Sequence, residues 1–288
     1  MTTSPPTLRP RPLAFRLLVV FVGAVAIWAL MRWLNETLLT DGLTIPVRLA
    51  NAALVCGLSI PLIVLARRHL DRRPWAGLGL DPLRQAGRPF LVGVAAFLVP
   101  SAVGLTAALL TGWVDLQPQV PWATILGWAA LLVMLVFFFE ALPEELIFRG
   151  YLQRNLSTVT APWVAALGQA VLFTAFGAGL WVASEGWGVL AERGVMFFAV
   201  AVVLGLLRVQ TGSLWTPIGF HLAFQVVAQS LLGERMSTSN EGGLMLTAII
   251  SAFVLATTVT AFLLPREVNW SRPEPERTSG HDLDRSLR

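Results

Sequence analysis

Apolar runs about twenty residues long, separated by short polar stretches, fill most of this chain. A helix needs about 20 residues to cross the hydrocarbon of a bilayer, and the runs place spans at about 17–34, 47–66, 90–112, 122–142, 162–183, 194–209, 213–232 and 243–264. The pattern predicts an all-α fold, a polytopic transmembrane helical bundle of about eight membrane-spanning helices forming one domain over residues 13–264. Residues 1–12 and 265–288 are rich in proline and charge and cannot bury apolar area, so both read as disordered tails. Between the second and third spans, Arg67 to Arg88 alternates charged with apolar residues, as expected of a segment lying along a membrane surface. The first span follows a basic leader, Arg9, Arg11 and Arg16, but lacks a small-residue cleavage site and reads as a retained signal-anchor. No internal repeat is visible.

Composition agrees: 55% of residues are hydrophobic and 13% charged, against roughly 25% charged in a soluble domain. Every basic residue outside histidine is arginine. These cluster before the first span, between the second and third, after the fourth, around Arg208 and after Arg266, which are alternate loops. The positive-inside rule makes those loops and both termini cytoplasmic. The net charge of +4 therefore encodes orientation, and no nucleic-acid partner is expected. The partner that composition implies is the lipid bilayer. Trp33, Trp75, Trp113, Trp122, Trp187 and Trp215 fall near span ends, as interface anchors do. Cys56 is alone, so an intramolecular disulfide is excluded.

Chemistry concentrates behind the fourth span, in Glu140, Glu144, Glu145 and Arg149. An ionisable group at the centre of a spanning helix costs about 2.5–3.5 kcal/mol, so carboxylates there point to catalysis or an ion path. If the helix runs on through Pro143, Glu145 and Arg149 share a face and pair, while Glu144 points elsewhere and is free for acid–base chemistry. Pro143 fits equally well the first turn of a new helix, with both glutamates at its N-terminus. Headgroup-level ion pairing is the plainer reading of such a cluster. His221 weighs against it: His221 and Gln225, one turn apart in the seventh span, can both donate hydrogen bonds toward a common point, the form of an oxyanion stabiliser.

The run Glu144-Glu145-Leu146-Ile147-Phe148-Arg149-Gly150-Tyr151-Leu152 closely resembles the EExxxR signature of the CPBP intramembrane proteases. This is the CAAX protease and bacteriocin-processing family, also called the abortive-infection family, related to the type II CAAX prenyl endopeptidases. Gly212-Ser213-Leu214-Trp215 through His221 and Gln225 is similar to its later motif, with Gln225 where asparagine is usual. The family's middle motif, phenylalanine and then histidine four residues on, meets Phe173 followed by Gly177, so the histidine is missing. The resemblance covers roughly residues 75–235, with its core about 120–230.

The resemblance implies peptide-bond hydrolysis in a bacterial plasma membrane, with a membrane-associated peptide or protein as the partner. Glu144 would activate water, Glu145 would pair with Arg149, and His221 with Gln225 would steady the oxyanion, while Phe173 and Gly177 would line the substrate cavity. It also raises a divalent metal such as zinc, with Glu144 and His221 as the available ligands; a glutamate-activated water needs none. Two rivals remain at this level: a non-catalytic member holding a peptide or partner helix around Gly177, as an immunity or scaffold protein, and a transporter.

Overall fold

The computed structural model describes residues 10–38 and 43–276. The tails expected at 1–9 and 277–288, and His281 with them, lie outside these residues. Eight long helices are found among the described residues: α1 (Leu13–Leu38), α2 (Ile45–Leu65, running on through a wide turn to Asp71), α3 (Leu83–Leu110), α4 (Trp122–Ser157), α5 (Pro162–Glu185), α6 (Val189–Thr211), α7 (Trp215–Leu231) and α8 (Glu241–Leu263). Seven are long and apolar enough to cross a membrane. The remaining expected span, the seventh, is α7, only 17 residues long, whose first ten residues, Trp215 to Phe224, are all buried. It is a central helix sheathed by the others, which is how it can carry a histidine.

A buried carboxylate ties the arginine-rich end together. Asp71 Oδ1 accepts from Arg16 at 2.9 Å and from the Tyr151 hydroxyl at 2.8 Å, and Oδ2 accepts from Arg67 at 2.9 Å and Asn155 at 3.2 Å. One acid thus joins α1, the end of α2 and the end of α4. The chain after α8 differs from the tail expected at 265. As far as Glu276 it folds back over this end: the Glu274 amide donates to the Ser157 carbonyl, and Glu276 forms ion pairs with Arg67, Arg73 and Arg154. A surplus of arginines gives these acids partners that composition alone does not reveal.

Helices α3 and α7 cross with their backbones nearly touching. A methyl group on Gly219 would sit 3.1 Å from the Phe90 carbonyl carbon and 3.2 Å from the Val94 nitrogen; one on Gly93 would sit 2.9 Å from the Phe220 nitrogen. Small residues at a crossing are the means by which helices associate in lipid, where no hydrophobic drive exists between them.

At the opposite end a two-residue strand, β1 (Gln117–Pro118), pairs antiparallel with β2 (Met236–Ser237). Asp115 Oδ1 beside it accepts from the Ser239 hydroxyl at 2.6 Å and the Ser239 amide at 2.8 Å. The Ser239 hydroxyl, then the amide, hold the Asp115 carboxyl down at about 2, from an ordinary 3.8.

Gly219→Leu should overpack the α3–α7 crossing and destabilise the protein by at least about 1–3 kcal/mol, read as a lower midpoint of thermal unfolding in detergent. Because the native carboxyl of Asp115 is depressed, its contribution is complete above about 3.8 and is lost as pH falls through about 2. Hydrogen-exchange protection of the Ser239 amide should fall across that window, and Asp115→Ala should remove it at pH 7.

Candidate active site

Pro143 has no N–H to give and its ring would strike the carbonyl four residues back. Helix α4 answers with a wide i→i+5 turn over Phe137–Ala141, runs through Leu142–Glu145, and widens again over Leu146–Gln153. Of the two arrangements open from the sequence, the structure adopts the continuous helix. Wide turns of this kind gather at functional sites, and here Glu140, Glu144, Glu145 and Arg149 lie within them or between them.

Glu145 is the centre of the cluster. Its Oε1 accepts from Arg149 at 2.9 Å and lies 2.9 Å from His221 Nδ1, which joins α4 to α7. All three groups are buried. Arg149 also donates to the Ala201 carbonyl on α6, and its guanidinium carbon stands 4.6 Å from the Phe173 ring centroid. Glu144 is turned differently: its Oε2 lies 4.0 Å from His221 Nε2, and its side chain is 11% exposed where that of Glu145 is 0%. With Nδ1–H given to Glu145, the far nitrogen of the imidazole faces Glu144. A 4.0 Å gap is one that a single water can bridge with two hydrogen bonds of about 2.8 Å.

The other expected residues are placed less simply. Phe173 packs against Arg149 and Phe148. Gly177 faces the Phe197 ring of α6, and a Cβ there would stand 3.3 Å from two of its ring carbons. A side chain at 177 would press on the Phe197 ring, which would have to yield by a few tenths of an ångström. Gln225 is only half-buried and has no hydrogen-bond partner among the described residues. One turn further on, Gln229 Nε2 reaches Glu140 at 3.4 Å. Gln169, not singled out in the sequence, donates at 2.7 Å to the same Ala201 carbonyl as Arg149. An amide within an apolar span was the signal available for it.

A cavity of about 430 Å³ opens beside Glu140, one turn before Glu144. Glu140 and Gln229 form part of its wall, Trp28, Val136 and Phe139 make it largely apolar, and Arg32, Leu43 and Arg48 lie toward the α1–α2 connection. It therefore runs toward the end of the bundle away from Asp71.

A zinc ion asks for three protein ligands and an open position. Glu144 and His221 supply two, Glu145 already holds a guanidinium and the imidazole, and position 177 is glycine. Among the described residues no group of three His, Cys, Asp or Glu side chains is arranged to hold a metal. The residues do not fit the ion.

Residues 126–227 match the family model described as type II CAAX prenyl endopeptidase Rce1-like, in agreement with the resemblance of the glutamate and histidine motifs. The matched segment holds Glu140, Glu144, Glu145, Phe173, Gly177, His221 and Gln225. A search of curated proteins finds no match to the chain.

Removing one partner of a buried ion pair strands the other, at a cost of about 3–5 kcal/mol. Arg149→Met should therefore unfold the protein much more readily than wild type, and adding Glu145→Gln should recover most of the loss, as measured by thermal unfolding of the two single variants and the double.

Proposed function

We propose that the chain is an intramembrane endopeptidase of the CAAX-processing type that cleaves membrane-associated peptides with a glutamate-activated water. The observation that carries this reading is the 4.0 Å approach of Glu144 to His221 Nε2, with the imidazole fixed from its other side by Glu145. Glu144 takes a proton from a water held between them, and the water oxygen attacks the peptide carbonyl carbon. The imidazole, carrying protons on both nitrogens, donates Nδ1–H to Glu145 and Nε2–H to the oxyanion. As the C–N bond breaks, Glu144 returns its proton to the leaving amine. Glu145 and Arg149 act as positioning residues. Gln225 is the second oxyanion donor, without another hydrogen-bond partner among the described residues and one turn from His221. No step runs through a metal.

The apolar cavity, which ends at Glu140 one turn before Glu144, is the substrate's approach, and its lining suits a bilayer-embedded segment rather than a strongly polar one. With the arginine-rich end in the cytoplasm, both termini lie inside.

A second reading rests on the Phe197 ring against Gly177: a non-catalytic member of the same fold, its middle histidine lost and the space filled. Purified protein offered a library of membrane-anchored peptides separates the two. Cleavage by wild type should fall by about 10²–10⁴-fold in Glu144→Gln, the typical worth of a general base. Cleavage that survives Glu144→Gln removes this base. If wild type never exceeds that variant while Gly177→His with Phe197→Ala creates activity, the non-catalytic reading replaces it.

A further inference from the structure

On the arginine-rich end lies a second cavity, of about 280 Å³ and mainly polar, apart from the Glu144–His221 pair. Arg149, Arg154, Arg208 and Arg266 line it, with two carboxylates, Asp81 and Glu274. Two of the arginines are engaged: Arg149 with Glu145, and Arg154 with Glu276. The other two form no ion pair with a carboxylate among the described residues. Asp81 Oδ2 accepts instead from the Ser213 hydroxyl at 3.0 Å.

Arginines that merely mark orientation turn their heads out to water. Arg208 is held inward: it donates to the Leu78 carbonyl at 3.0 Å, and its Nε is buried without an acceptor. Repelling it are Arg154 and Arg266, and only Glu274 and Asp81 attract it. The backbone has been cleared to receive both guanidiniums. A methyl group on Gly79 would lie 2.7 Å from Arg208 Cζ, and one on Gly212 2.9 Å from Arg266 Cζ. Both glycines have positive φ, 77° and 70°, where other residues are strained. Close by, Leu214 donates its amide to the Gly79 carbonyl at 2.7 Å, which locks the two glycine turns together. The fold thus gathers two cations without carboxylate partners at one polar cavity and keeps bulk away from them.

We propose that this cavity is a binding site for a phosphate group, belonging either to an anionic phospholipid headgroup or to a soluble phosphate ester. Guanidinium forks match phosphate oxygens in geometry and charge. The cavity lies at the cytoplasmic end of a bundle in a bilayer, where both sources are at hand. Glu274, carried by the segment that folds back after α8, forms part of the wall with Arg266, so an occupied cavity also fastens that segment.

The test uses the full chain. In one arm, inorganic phosphate is titrated into purified protein in neutral detergent at ionic strength fixed with chloride, and the thermal midpoint is followed. In the other, the midpoint is compared in phosphatidylcholine nanodiscs with and without phosphatidylglycerol. Wild type should be stabilised in at least one arm. A response to lipid alone assigns a headgroup, and a response to inorganic phosphate assigns a soluble ester. Arg208→Gln and Arg266→Gln should each weaken the apparent affinity about tenfold or more, the scale of one charge-assisted hydrogen bond. Arg84→Gln, an exposed arginine at the same end that does not line the cavity, should respond as wild type. Should Arg208→Gln fail to fold, the exposed Arg266 decides. No stabilisation in either arm, an unaltered response in Arg266→Gln, or an equal loss in Arg84→Gln overturns the proposal.

Discussion

Glu145 is the carboxylate on which the site depends. One oxygen receives both the Arg149 guanidinium and the His221 ring, so α4 and α7 are registered through a single buried atom. In a medium that cannot solvate charge, the three groups are stable only together. Glu144, its neighbour in sequence, is excluded from that arrangement by the winding of the helix. The same geometry that fixes the imidazole therefore leaves a second carboxylate beside its free nitrogen. Removing Glu145 would loosen the histidine without touching the group proposed to do the chemistry.

The bundle reached that arrangement by suppressing bulk and widening turns where chemistry sits. Gly93 and Gly219 let α7 sink against α3 until the backbones touch, which places His221 in the interior. Pro143 interrupts the ladder of α4, and the wide turn before it keeps the helix continuous across the break. Two cavities flank the result, an apolar one that includes Glu140 and a polar one that includes Arg149. The charged cluster is thus a partition between an oily approach and an ionic one.

Much of this was legible in the sequence because apolar length and buried charge are local signals. The spans followed from runs of residues, and the spacing of Glu145 and Arg149 foretold their pair. The rarity of ionisable groups in apolar sequence drew His221 into the reading, but its contact with Glu145, 76 residues away, was not legible, because Glu145 already had Arg149 as a partner on its own helix. Asp71 escaped notice because its neighbours are arginines in what looked like a surface loop, while its partners lie at Arg16, Tyr151 and Asn155. Residues 265–276 escaped for a related reason: their composition matches a disordered tail, and only the arginines on the facing surface make them otherwise. Gly177 was read as a vacancy, yet Phe197, on the next helix, stands against it. Such filling depends on a residue whose sequence position carries no hint of its target.

The Asp71 knot also bears on how the chain is assembled. Arg16, Arg67 and Asp71 all belong to the first two helices, so a nascent hairpin of those helices can pair its buried acid as it leaves the ribosome, before α4 exists. Tyr151 and Asn155 then dock onto an ion pair already made, and Glu276, translated after them, closes over it. Charge pairing in this end of the molecule runs in the order of synthesis, and no step requires an unpaired acid to wait in lipid for a helix not yet built.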